Sequence, residues 1–187
     1  MNTPTKLIVL LSALAVASCD TSVETSIELP TEAGPNLAFA DLLLSDAPAD
    51  ALSVTAARKA PKPGTEITIA GDIIGKVDVF VDNRAMLTIG DPTTITSCNR
   101  MPGDACATPW DVCCDDPNVI KASIATVQVL DADGKLIKTG LKGLGGMKEL
   151  SSVIIKGIVA EDSSPDNLLI TATGIHIASV EANNTPK

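Results

Sequence analysis

Tyrosine is absent from this 187-residue chain, tryptophan occurs once and phenylalanine twice. Trp110, Phe39 and Phe80 are too few to build the aromatic platforms on which single-stranded nucleic acids stack. Basic charge is also scarce: 14 Lys and Arg stand against 23 Asp and Glu, a net charge of −9. A nucleic-acid partner needs a basic surface to displace phosphate counterions, and is excluded on that ground. His176 is the only histidine. It sits between Ile175 and Ile177 in an alternating stretch, where a barrel-surface position fits it better than the role of catalytic base. No Ser-His-Asp or Cys-His set assembles around it, and the chain reads as a non-enzyme. The glycine-rich LKGLGG at 141–146 is not followed by Gly-Lys-Ser/Thr, so it is not a phosphate-binding loop.

A bilayer-spanning run is missing too. Leu7–Ala17 is apolar over eleven residues, too short for a helix to cross a bilayer core about 30 Å thick. With Lys6 before it, the run has the form of an export signal over residues 1–18. It ends in VASC, Val16 to Cys19. This resembles the lipobox of bacterial lipoproteins, where an apolar and two small residues precede a cysteine. The resemblance implies cleavage before Cys19, acylation of Cys19, and a domain in the cell envelope, lipid-anchored on the extracytoplasmic side of a membrane. Several acyl chains on one residue make a stable anchor. An ordinary signal peptide cut near Cys19 is the competing reading.

Residues 20–57 carry seven acidic residues and no Lys or Arg, whereas 58–187 carry sixteen acidic and thirteen basic. Residues 19–47 therefore read as an acidic flexible tether, rich in Thr, Ser, Glu and Pro at its start. Within it, 36–46 is either a short helix or an apolar patch. Residues 48–63 read as a short helix and a Pro-rich linker, with Asp46 as N-cap and Arg58 and Lys59 at the C-terminal end.

From Thr65 the apolar period becomes two. TEITIAGDIIG at 65–75 alternates. KVDVFV and RAMLTI flank Asp82-Asn83, and Asp133-Gly134 separates ASIATVQVLD from KLIKTG; both pairs are hairpin-turn signals. SSVIIKGIVAED and LLITATGIHIASV are the last two strands, with residues 181–187 as a tail. Three strands, a connection and two strands make a mainly β domain over 64–180. It resembles an OB-fold, a small five-stranded Greek-key barrel, carrying a Cys-rich loop insert at 97–118. The combination of ARKAPKPGTEITIAGDIIG, FVDNRAMLTIGDP and the cysteine block also resembles uncharacterised exported proteins of planctomycete-type bacteria. That resemblance implies the domain's limits and no activity.

The insert, CNRMPGDACATPWDVCCDD at 98–116, holds Cys98, Cys106, Cys113 and Cys114. Their spacing is not that of zinc fingers, haem c or the common iron–sulfur motifs. In an oxidising compartment an even number of cysteines implies two disulfides. Vicinal Cys113 and Cys114 would strain if bonded to each other, so each should pair with Cys98 or Cys106, the pairing being open. Bridges of this size contribute about 3 kcal/mol and would order a loop with little apolar content of its own. The alternative is a thiolate site for copper or zinc, with Met101 nearby. Asp104, Asp111, Asp115 and Asp116 read as turn and cap residues rather than calcium ligands, with a short helix starting at Asp111 and holding the cysteine pair. Trp110 packs over the disulfides or the barrel, or is an exposed anchor for a protein partner. The function expected is a membrane-anchored, non-catalytic binding or assembly module without cofactor. The alternative is a Cys-based metal-handling or redox protein.

Overall fold

The computed structural model describes Phe39, residues 41–164 and residues 166–178. The expected signal peptide, Cys19 and the tail at 181–187 lie outside the described residues. Six strands and two helices follow in the order β1 (Leu52–Ser53), α1 (Val54–Arg58), β2 (Glu66–Asp72), β3 (Met86–Gly90), α2 (Pro117–Ser123), β4 (Ile124–Gln128), β5 (Ser152–Val159) and β6 (Leu169–Ile177). The sheet runs β1-β2-β3-β4-β6-β5, and β5 pairs back onto β2. β2 to β6 thus close a five-stranded barrel, small and OB-like as the strand order implied. The β4–β6 pairing is parallel, and the other barrel pairings are antiparallel.

Period-two patterning places the core. Leu87 and Ile89 of β3, Ala125 and Val127 of β4, Val153, Ile155 and Val159 of β5, and Ile170 of β6 all point inward and are buried. Both expected hairpin turns are present, but each arm is a single bridge, Phe80 to Leu87 and Leu130 to Leu136. Asn83 and Gly134 take positive φ at the turns, a conformation that Asn and Gly tolerate. In β6, Thr173 is an extra residue opposite the Lys156–Gly157 step, a bulge that bends the strand around the barrel.

Two expected elements differ. The short helix read within 48–63 with Asp46 as cap is only Val54–Arg58, capped by the Ser53 hydroxyl, which accepts from the Ala56 N–H at 3.2 Å. Leu52 and Ser53 are instead drawn into a parallel ladder with Ile69 and Ala70 of β2, and extended pairing wins over a weak helical stripe. The second helix starts at Asp116, not Asp111. The Asp116 carboxylate accepts from the Asn118 N–H at 2.8 Å, and Pro117 occupies the first turn, where its missing N–H costs nothing.

Phe39 and residues 41–47, read as tether, also belong to the domain. Phe39 and Leu42 are buried in the main core. Leu42–Leu44 lies along β6: the Leu44 N–H donates to the Ile175 carbonyl at 2.9 Å and the Ile175 N–H to the Leu42 carbonyl at 2.7 Å. A Cβ at Gly174 would press on the Leu44 side chain, which would have to shift to admit it.

A second, smaller core lies outside the barrel. It joins Ile74, Ile95, Val112 and Ile120, with Trp110, Ile124 and Leu150 packed against it.

Candidate functional site

The cysteine insert fills the connection between β3 and β4, and its backbone is stitched on both sides. The Cys98 N–H donates to the Asp111 carbonyl at 2.8 Å and the Asn99 N–H to the Pro109 carbonyl at 2.9 Å. These bonds lay Cys98–Asn99 beside Pro109–Asp111. The second segment is tied to the barrel through Gly75, whose carbonyl accepts from the Val112 N–H at 2.9 Å. Arg100 closes an ion pair with buried Asp72 at 3.0 Å.

The insert's backbone is thus held by hydrogen bonds, and Cys98, Cys106, Cys113 and Cys114 are unbridged in the structure. The two disulfides expected for Cys98, Cys106, Cys113 and Cys114 are not at bonding distance. Cys98 Sγ and Cys113 Sγ are 3.9 Å apart, against about 2.05 Å for a bond. The loop's apparent lack of apolar content was misleading. Val112 seals it onto Ile74, Ile95 and Ile120, residues that lie outside the cysteine block in sequence.

Cys98 is buried and its neighbours are more exposed. Burial raises the Cys98 pKa far above the usual thiol range, and hydrogen bonding to Cys106 and Cys113 raises it further. Hydrogen bonds from the Thr108 hydroxyl and N–H lower the Cys106 pKa, which makes Cys106 the more acidic thiol of the two.

Trp110 is half-buried and touches both cores. Its Nε1–H donates to the Val77 carbonyl at 2.8 Å. The indole is a wedge between barrel and insert, so replacing it by alanine removes packing as well as any contact to a partner. The acidic residues act as backbone acceptors. Asp115 accepts from the Thr96 N–H at 2.6 Å, Asp104 from the Cys106 N–H at 3.2 Å, and Asp116 caps α2. They do not converge on a calcium site among the described residues. His176 is tied to the strap: its Nδ1 donates to the Leu44 carbonyl at 3.1 Å, which leaves Nε2 unprotonated in the neutral ring.

Two cavities adjoin the insert and the barrel end. A groove of about 490 Å³ beside the thiols is lined by Val77, Cys113, Pro117, Ile120 and Ile124, with Lys76, Lys121, Asp111 and Asp115 at its polar positions. A smaller one of about 280 Å³ includes Asp72, Asp91, Ser53 and Ser152. The carboxylates of the second are engaged internally. Asp72 holds Arg100 and the Ser152 hydroxyl, and Asp91 accepts from the N–H groups of Thr55 and Thr93. Burial alone would raise the Asp91 pKa, but hydrogen bonds from Thr93, Ser53 and Thr55 outweigh it and bring it down to about 2.

Among the described residues no helix is long and apolar enough to cross a membrane. No family model, curated protein or solved structure matches the chain.

Proposed function

We propose that the chain is a cell-envelope lipoprotein, anchored through an acylated Cys19, whose OB-like barrel is a non-catalytic binding module for a protein partner. The observation that carries this reading is the groove between Val77 and α2. It has an apolar floor and charged positions of both signs, the anatomy of a protein contact face. Two of the exposed large apolar side chains belong to the elements that form it, Val77 at 55% exposure and Val119 at 40%. Aligned with this are the export signal, the lipobox-like VASC and the acidic stretch at 20–57, which together suit a domain held off a membrane surface.

The test is site-specific photo-crosslinking in cells that make the protein. A photoreactive residue at Val77 or at Val119 should trap one and the same protein. The same residue at Lys138, beside a separate cavity, should not trap it. Absence of any adduct from both Val77 and Val119 would sink the reading. Intact mass of the wild type and of Cys19→Ala tests the anchor, since only the wild type should carry acyl mass.

A further inference from the structure

Two sets of ligand atoms in the insert share one sulfur. The Sγ atoms of Cys98, Cys113 and Cys114 all lie within 4.8 Å of one another. So do the Cys98 Sγ, a carboxylate oxygen of Asp104 and the Cys106 Sγ. Cys98, 1% exposed, is the common member.

This hub arrangement is hostile to two disulfides. Bonding Cys98 to Cys113 leaves Cys106 and Cys114, which share no cluster. Bonding Cys98 to Cys114 leaves Cys106 and Cys113, with the same difficulty. Bonding Cys98 to Cys106 leaves the vicinal pair, whose bridge is strained. One ion suits the hub better. Sulfurs held about 2.3 Å from a common tetrahedral centre stand roughly 3.8 Å apart. The Cys98–Cys113 separation is 3.9 Å.

The surroundings fit a built site. The backbone bonds at Cys98, Asn99 and Val112 fix the relative position of the two cysteine-bearing segments. The nearby carboxylates of Asp115 and Asp116 are committed to backbone N–H groups, so sulfur dominates the donor set. Thiolates select soft cations over calcium or magnesium.

We infer that Cys98, Cys113 and Cys114 form a three-thiolate site for a soft d10 cation, zinc(II) or copper(I), with any fourth position left to solvent. Binding displaces the thiol protons to solvent, and the cation's charge replaces them beside the buried Cys98 sulfur. The site shares Cys113 with the groove but does not rest on the partner reading, because metal binding by the isolated chain is read without a partner or an anchor.

The test uses the reduced full-length chain in detergent, titrated anaerobically. Cobalt(II) serves as the spectroscopic probe for zinc, and copper(I) is competed against a chromophoric chelator. One equivalent of cobalt should produce thiolate charge-transfer and intense ligand-field bands, which zinc bleaches. A copper(I) complex of the same stoichiometry without a zinc-displaceable cobalt band assigns the site to copper. Cys113→Ser and Cys114→Ser change exposed side chains, so folding should survive. Each should weaken binding by about 100-fold or more, given that even outer contacts are worth 10–100-fold. Cys106→Ser, outside the three-sulfur cluster, should bind like the wild type. Bound metal should also protect Cys98 and Cys114 of the wild type from alkylation, a readout that needs no variant. Failure to bind either metal at one equivalent overturns the inference, as does binding unchanged in Cys114→Ser. A disulfide through Cys98 in chain extracted from its membrane under alkylating conditions overturns it as well.

Discussion

Arg100 Nη2 donates to Asp72 Oδ2 across 3.0 Å, and this ion pair ties the thiol-bearing insert to the strand at which the barrel closes. Asp72 faces Gly90 of β3 and Ser152 of β5, and its second oxygen accepts from the Ser152 hydroxyl at 2.6 Å. Because Arg100 is half-exposed, the pair should contribute only about 1 kcal/mol. Asp72→Asn should lower stability by that amount. If the insert opens locally at the same cost, Cys98 alkylation in native buffer should quicken about fivefold. A lowered melting temperature with an unchanged Cys98 rate would show that the pair holds the barrel but not the insert.

Gly157 lies at the β6 bulge, and a Cβ there would run into the Thr171 carbonyl and press on Ile170. Backbone cannot move aside as a side-chain tip can. Gly157→Ala should cost about 2–3 kcal/mol, in the range of overpacked cores. Gly140→Ala is the matched control, since its nearest neighbours are at 3.9 and 4.0 Å. Urea midpoints of the two variants should separate clearly.

Asp91 makes stability depend on acid. Its folded pKa is about 2, below the roughly 3.9 of an unfolded aspartate. A depressed folded value means that the carboxylate's contribution is complete above about pH 4. It is lost as pH falls through 4 toward 2, because the unfolded state takes up its proton first. The loss should be about 2 kcal/mol across that window. Urea unfolding followed from pH 5 to pH 2 should show the slope, and Asp91→Asn should flatten that part of it.

Trp110 can be dissected by two substitutions. Trp110→Phe keeps most of the wedge but drops the bond to the Val77 carbonyl, at a cost of about 1 kcal/mol. Trp110→Ala removes packing against both cores and should cost about 3 kcal/mol. Chemical denaturation orders the two. Equal losses would mean that the hydrogen bond, not the packing, fixes the indole. A partner contact is best probed with the phenylalanine variant, which spares the fold.

The barrel was legible because each of its strands alternates over enough residues for one face to declare itself. β5, with Val153, Ile155 and Val159 inward, is the clearest example. β1 could not be seen, since two residues have no period. The strap at Leu42–Leu44 hid for a related reason: it joins the sheet through a single bridge to Ile175. The α2 start was present in the sequence as Asp116-Pro117, a cap followed by a helix-compatible proline, but the alternative cap at Asp111 competed with it. Asp111 is instead bridged to Gly75. The thiol hub lay beyond reach of spacing arguments. It depends on the turn at Cys98–Arg100 folding back on Pro109–Asp111 and on a small core drawn from Ile74, Ile95 and Ile120.

The strap on β6 has a mechanical consequence. Any pull that arrives along the chain from its N-terminal side meets the bonds between Leu42, Leu44 and Ile175 before it reaches the barrel seam. Phe39 and Leu42 sit in the core beneath those bonds, and the His176 ring grips the Leu44 carbonyl beside them. The load thus enters near the C-terminal end of the longest strand, as at the strain relief of a cable. A pull strong enough to lift the strap therefore also draws Phe39 and Leu42 out of the core.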